Sequence, residues 1–210
     1  MLIAQPDIGQ TLLVIFCWAV LIFTSGINIY ILLAIFIAGA SLLTYLIIYV
    51  PRFDYIQGRI FSFFNRETGT HNFQSDKAIE SITSGGFFGK GIGEGVLKNR
   101  VPEAHTDYII SVISEEFGVV AIMLILLLFL ILIYMVFKKI SFETNDKVKL
   151  ILIGSISLIL MQATIHVGVN IRLFPTTGMT LPFLSYGGSS IISTSILAGI
   201  ILNLTKRKIT

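Results

Sequence analysis

The chain has 210 residues, 54% of them hydrophobic and 13% charged, with a mean hydropathy of +0.87. That balance excludes an ordinary water-soluble domain. The net charge of +3 is small and its cations hug apolar runs, which excludes a broad nucleic-acid-binding face.

No basic region precedes the first apolar stretch, and MLIAQPDIGQ carries an acid instead, so no targeting sequence is expected at the start. Five runs approach the ~20 residues that cross a hydrocarbon core: Thr11 to Tyr30, Ile31 to Val50, Val119 to Phe137, Val148 to Val169 and Gly187 to Leu204. The first two are almost fused around Gly26-Ile27-Asn28, and residues 1–50 read as a transmembrane hairpin with a tight turn. Cys17 is the single cysteine and lies in an apolar run, which leaves no intrachain disulfide and no cysteine-cluster metal site.

Residues 51–117 are too long for a mere connector. Phe53, Tyr55, Ile56, Ile60, Phe61, Phe63 and Phe64 are threaded by Arg52, Arg59 and Arg66, which suits either an interfacial segment whose cations reach lipid phosphates or a packed loop with solvated arginines. Phe73 to Ser84 reads as a helix stopped by Gly85-Gly86, and glycines 89, 91, 93 and 95 permit bends beyond it. Gly89-Lys90-Gly91-Ile92-Gly93 lacks both the preceding strand and the spacing of a nucleotide-binding loop.

Residues 118–210 hold three spans. Lys138, Lys139, Lys147 and Lys149, with the tail Lys206-Arg207-Lys208, belong on the cytoplasmic side by the positive-inside rule. Alternation then places the 51–118 segment, the 170–187 loop and the start of the chain outside. An outside start and an odd number of spans suggest part of a larger membrane protein whose partner helices lie upstream. In the fourth span Gln162, Thr164, His166 and Asn170 are expected to face the bundle interior or a wet cavity. Pro175, Pro182 and Gly187-Gly188 break helical geometry in the last loop, which calls for protein or a water-filled cavity around its backbone.

RVPEAHTDYIISVISEEFG, residues 100 to 118, crowds Glu103, His105, Thr106 and Asp107 against an apolar run. On residue types alone, Asp107 or Thr106 caps the helix leading into the third span. At 100° per residue Glu115 falls about 80° from Asp107 and Glu116 about 180° away, which puts Glu115 on the side of Asp107.

PEAHTDYIISVISEEFG (102–118) and FPTTGMTLPFLSYGGSS (174–190) closely resemble motifs of the SEDS family, the shape, elongation, division and sporulation proteins of bacterial cell-wall synthesis. QPDIGQT (5–11) is similar to the family's E-P-D-x-G-T segment, with Gln5 at the usual Glu position, and FQ…AIESITSGGFFGKGIGEG to the segment leading to its active-site loop. The four motifs stand in the family's order across nearly the whole chain. Ala104-His105-Thr106 and GVNIRLFPTTGMTLPFLSYGG resemble the division branch more than the elongation branch. Thr177 stands where some division members carry a functional Lys, so that role does not transfer.

The resemblance implies an all-α polytopic membrane protein with about five transmembrane helices and a long extracytoplasmic loop, equivalent to helices six to ten of a ten-helix fold in the bacterial cytoplasmic (inner) membrane, with the C-terminus cytoplasmic. It implies a peptidoglycan glycosyltransferase that polymerises lipid II, the undecaprenyl-linked disaccharide-pentapeptide precursor, into septal glycan strands. Asp107 becomes the essential acid, a base that takes the proton of an attacking sugar hydroxyl. An alpha-linked donor and a beta product imply inversion without a covalent intermediate. Around Asp107 the resemblance gathers Thr106, Glu103 to position an amide or a cation, His105 to contact phosphate or orient the acid, and Glu115 and Glu116. Arg172, then Lys90, Lys98 and Arg100, are the counter-charges for a leaving pyrophosphate. Each of these residues except Asp107 reads equally well as an ordinary loop side chain.

No nucleotide is implied, and a divalent cation (Mg2+ or Mn2+) is compatible with the chemistry although no recognisable ligand set calls for one. The implied partners are lipid II and undecaprenyl-pyrophosphate-linked glycan, a class B penicillin-binding transpeptidase, divisome proteins, and a separate chain supplying the upstream helices. Two other functions fit many spans equally well: a transporter of lipid-linked precursor, and a non-enzymatic scaffold for the transpeptidase.

Overall fold

The structure, a computed structural model, describes residues 7–65, 70–96 and 101–206. Its elements are all helical: α1 (Ile8–Thr24), α2 (Ile29–Tyr49), a 3-10 turn (Pro51–Phe53), α3 (Asp54–Asn65), α4 (Thr70–Gly85), α5 (Ile109–Phe142), α6 (Asp146–Asn170) and α7 (Gly188–Thr205). Gln5, Arg66, Lys98, Arg100 and the tail beyond Lys206 lie outside the described residues.

The first two runs are separated earlier than hydropathy suggests. Asp7 Oδ1 accepts the Gln10 N–H at 2.9 Å and starts α1. Gly26, at φ 87°, follows its end, and Asn28 Oδ1 accepts the Tyr30 N–H at 3.0 Å to start α2. A glycine and a cap make the turn, and apolar neighbours hide both from a hydropathy average. The two helices also part company in packing. α1 lies along α6, where a Cβ on Gly154 would meet Leu21 Cδ2 at 3.2 Å and the Cys17 thiol points at the Gly154 carbonyl, 3.7 Å away. Leu32 is the buried residue of α2, whose other apolar side chains are exposed apart from the half-buried Leu43, Leu46 and Ile47.

Among the described residues four helices, α2, α5, α6 and α7, are long and apolar enough to cross a membrane. The 17 residues of α1 rise only ~25 Å, short of a ~30 Å hydrocarbon core. The protein is thus an all-α, multi-pass membrane protein. α6 is its axis: half of its apolar span is buried, against 6% for α2 and α5 and 11% for α7. One apolar cluster joins α6 to α5 and α7 through Val136, Leu152, Ile156, Ile159 and Ile201. Another, including Leu13, Ala78, Tyr108, Val112, Ile165 and Met179, brings α1, α4, α5, α6 and the last loop together.

Of the four polar residues in the fourth span, His166 and Asn170 are buried and Gln162 is half-buried, but Thr164 is exposed. Its hydroxyl returns to the Leu160 carbonyl at 2.8 Å, so it finds a partner without turning inward.

α5 is two helices joined at Gly118, where φ is 78° and ψ 178°. The turn after α4 runs into this break. The Gly86 and Phe87 carbonyls accept the Val119 and Val120 N–H groups at 3.0 and 3.3 Å, while the Lys90 and Gly91 N–H groups donate to the Glu115 and Glu116 carbonyls at 2.8 and 3.0 Å. Backbone groups that a broken helix leaves bare are therefore taken up on both sides of the break. The approach is so close that a Cβ on Gly118 would lie 2.1 Å from Phe87 O. Gly118→Ala is expected to cost ~3 kcal/mol or more, from left-handed strain plus backbone overlap. Gly199→Ala, in α7 with open space around it, should be neutral or stabilising by up to ~1 kcal/mol. Thermal unfolding in detergent measures both, and similar midpoints for the two variants would contradict the packing described.

Candidate active site

The site is built from two irregular segments laid against one face of α6. Residues 102–108 run as successive turns before α5. Within them the Thr106 and Asp107 N–H groups donate to Glu103 O at 3.1 and 3.0 Å, and Glu103 adopts φ 55°. Three successive carbonyls then point away from this turn, and each has its own donor. His105 O accepts Tyr186 N–H at 3.0 Å, Thr106 O accepts the Ser185 hydroxyl at 2.7 Å, and Asp107 O accepts Asn170 Nδ2–H at 3.0 Å.

The 171–187 loop is tied down in the same way. Gln162 Nε2 donates to Thr180 O at 2.9 Å, and His166 Nδ1 lies 2.7 Å from Met179 O. A carbonyl can only accept, so His166 carries its proton on Nδ1. Gly9, at the start of α1, is buried against the same loop; a Cβ there would lie 2.6 Å from Met179 Cγ. The QPDIGQT and PTTGMT segments thus meet.

Between the segments lies a cavity of about 230 Å³ lined by Asp107, Tyr108, Arg59, Gln74, Val169, Thr176, Gly178 and Met179. That is smaller than the ~300 Å³ of typical ligand pockets, so it suits a reacting group and not a whole lipid-linked precursor. Asp107 is half-buried at its edge, and its carboxylate accepts no hydrogen bond among the described residues. Neither Asp107 nor Thr106 caps α5: the N-cap is Tyr108, with no side-chain cap bond. Thr106 Oγ1–H is directed instead to the Glu103 carboxylate at 3.0 Å and carbonyl at 3.1 Å. Burial first, and then the charge of Glu103, push the Asp107 carboxyl above its ordinary value. Gly178, at φ 68°, forms the facing wall; a Cβ there would lie 3.6 Å from Asp107 Oδ2.

Arg59 is a residue of this site that sequence reasoning assigned to lipid or solvent. It reaches the cavity from α3 and donates from Nη1 to Thr176 O at 3.3 Å. Its only local signal is that it lies three residues after the buried Ile56, on the same helix face.

The other candidates lie elsewhere. Glu103 and His105 are exposed on the turn, and Thr106 is half-buried. Arg172, at φ 58°, forms an ion pair with Asp76 of α4. Lys90 Nζ is 3.4 Å from the fully buried Glu115 carboxylate, which also accepts the Val96 N–H at 3.0 Å and the Ser81 hydroxyl at 3.1 Å. Glu116 Oε1 accepts the Gly93 N–H at 3.1 Å. Glu115 therefore does not line the cavity of Asp107. The helical count fails because Asp107 precedes the helix and lies in the turn. Both glutamates instead hold the glycine-rich segment. Among the described residues no group of three or more His, Cys, Asp or Glu is arranged to hold a metal ion.

The chain matches the family model FtsW/RodA/SpoVE, described as cell cycle protein, over residues 1–209. It is 35% identical to the probable peptidoglycan glycosyltransferase FtsW of Caulobacter vibrioides, covering 99% of this chain and 52% of that protein. It is 37% identical to the protein of the same description from Francisella salina, covering 97% and 52%. A solved chain from "Structural coordination of polymerization and crosslinking by a peptidoglycan synthase complex" superimposes with a TM-score of 0.75 and 30% identity, covering 97% of this chain and 56% of that one. The chain thus spans about half the length of the curated relatives it matches.

The raised carboxyl at Asp107 has a thermodynamic signature. The folded protein keeps that proton to a higher pH than the unfolded chain, so above the raised value the ionised group detracts from stability. Below the unfolded value both states are protonated and the effect disappears. Asp107→Asn is therefore expected to unfold at a higher temperature than the unsubstituted protein at neutral pH, the gain vanishing in acid. Thermal midpoints across pH check this; a less stable Asn variant at neutral pH would count against it.

Proposed function

The chain belongs to the FtsW/RodA/SpoVE family of cell cycle proteins, and on that premise we propose that it forms the catalytic half of a membrane peptidoglycan glycosyltransferase that polymerises lipid II. The observation that carries the reading is the Asp107 carboxylate, unengaged at the edge of a cavity that also holds Arg59. In this reading the carboxylate takes the proton of an acceptor sugar hydroxyl as the hydroxyl oxygen bonds to the donor's anomeric carbon. The bond from that carbon to the lipid pyrophosphate breaks, and its electron pair leaves with the phosphate. A single base on one side of the carbon suits direct displacement with inversion. Desolvation, which raises the Asp107 carboxyl, makes it a stronger base than a free aspartate.

Arg59 is the cation nearest this chemistry in the proposal, since it lines the cavity while Arg172 and Lys90 are engaged by Asp76 and Glu115. Its planar fork suits a pyrophosphate oxygen pair. Glu103, on the same turn, acts by raising the Asp107 carboxyl.

The wider arrangement is proposed on the same footing. α1 joins the four longer helices as a fifth membrane element, in the manner of the second half of a ten-helix fold in the bacterial cytoplasmic membrane. The cavity opens on the extracytoplasmic face and the C-terminus is cytoplasmic, in keeping with the lysines at the facing ends of α5 and α6. A transpeptidase of the class B penicillin-binding type is the proposed partner. Support comes from the solved relative, whose description couples polymerization to crosslinking in one synthase complex.

Polymerisation of labelled lipid II by the full-length protein in lipid vesicles, with its transpeptidase, tests the reading. Asp107→Asn is expected to lower the rate ~100-fold or more, and Arg59→Ala by ~10-fold or more, with Arg59→Lys intermediate. A folded complex that moves lipid II across the bilayer without extending glycan would favour transport. One that does neither would favour a scaffold.

A further inference from the structure

Apart from the turn where α6 runs into the last loop, in which Gly168 O accepts the Leu173 and Phe174 N–H groups at 2.7 and 3.2 Å, the two irregular segments are attached to α6 by side chains. Gln162, His166 and Asn170 are spaced by four residues, so they climb one face of α6 in steps of ~6 Å. Gln162 holds Thr180 O, His166 holds Met179 O and Asn170 holds Asp107 O. Ser185 joins the two segments to each other: its hydroxyl accepts Leu181 N–H at 2.7 Å and donates to Thr106 O at 2.7 Å. Both Ser185 and Asn170 are buried, at 3% and 0% exposure.

We propose that Ser185 and Asn170 are positioning residues that fix the Asp107 carboxylate for reaction by clamping the carbonyls of Thr106 and Asp107. The proposal rests on the reading of Asp107 as the base. The clamp holds the backbone on each side of the Asp107 side chain, leaving only its own two torsions to place the carboxylate. His166 and Gln162 complete the device from the other side of the cavity. They hold Met179 and Thr180, next to Gly178, whose backbone faces Asp107 Oδ2. One helix face thereby sets the spacing between the carboxylate and the wall opposite it. Displacement of a reacting group by ~1 Å can cost ~100-fold in rate, so a loosened clamp lowers the rate of the bound complex and leaves substrate affinity largely alone.

A purely structural role predicts something else. Donors that merely satisfy buried carbonyls would, when removed, lower the unfolding temperature while each folded molecule reacted as before. The test is the initial rate of glycan polymerisation against lipid II concentration, by the full-length protein in vesicles with its transpeptidase, normalised to folded protein. Ser185→Ala and Asn170→Leu are each expected to lower kcat ~10-fold or more with KM changed less than ~2-fold. Ser185→Thr, which restores the hydroxyl, should recover most of the loss, and the double variant should lose less than the product of the two, because both act on one carboxylate. If Asn170→Leu does not fold, the Ala and Thr variants of Ser185 decide. A folded Ser185→Ala with kcat within ~2-fold of the unsubstituted protein, or with its loss confined to KM, overturns the proposal. Asp107→Asn, run alongside, separates the two ideas: if it polymerises normally, the base reading has failed and the clamp has nothing to position.

Discussion

Backbone that is not helical has no internal partners for its N–H and C=O groups, and next to a membrane water is scarce to supply them. The arrangement of this protein follows from meeting that demand at two places. At the break in α5, the turn after α4 supplies acceptors to one half of the helix and donors to the other. At the candidate site, α6 and Ser185 supply side-chain donors to carbonyls that have no helix of their own. His166 and Asn170 of α6 thus serve as attachments through Nδ1 and Nδ2, while His166 Nε2 and Asn170 Oδ1 are buried without a partner among the described residues.

The two places divide the acidic residues between them. Glu115 and Glu116 are spent on the glycine-rich segment, where Glu115 is wholly enclosed. Asp107, one short turn before α5, is spared such bonds and is left open to the cavity. The same local sequence therefore holds carboxylates of two kinds, and what separates them is whether backbone N–H groups have come to meet them. Asp107, without such donors and half-buried beside Glu103, has its carboxyl pushed above the ordinary value by burial first and then by that neighbouring acid.

Much of the helical framework was legible, because apolar runs of ~20 residues have few other uses. Val119, read as the start of the third span, follows the Gly118 break within α5, and Gly86, at φ 57°, follows the end of α4. The turn after α1 was read at Gly26-Ile27-Asn28, where the structure has it, although the first hydropathy run itself overran it to Tyr30. The membership of the chain was legible from four motifs, and Asp107 came with them. The place of Glu115 was misjudged because a helical count was begun from a residue in a turn. Arg59 was missed for a different reason: its neighbour Thr176 is far away in sequence, and no local pattern encodes a contact of that range.

The fourfold spacing on α6 means that this helix has a phase as well as a length. Its partners are not a neighbouring helix that could slide to a new fit, but specific carbonyls at separate heights on two fixed segments. One residue inserted between His166 and Asn170 would turn one against the other by ~100° and shift it by ~1.5 Å. The helix would still cross the bilayer, yet it could grip one segment or the other and no longer both.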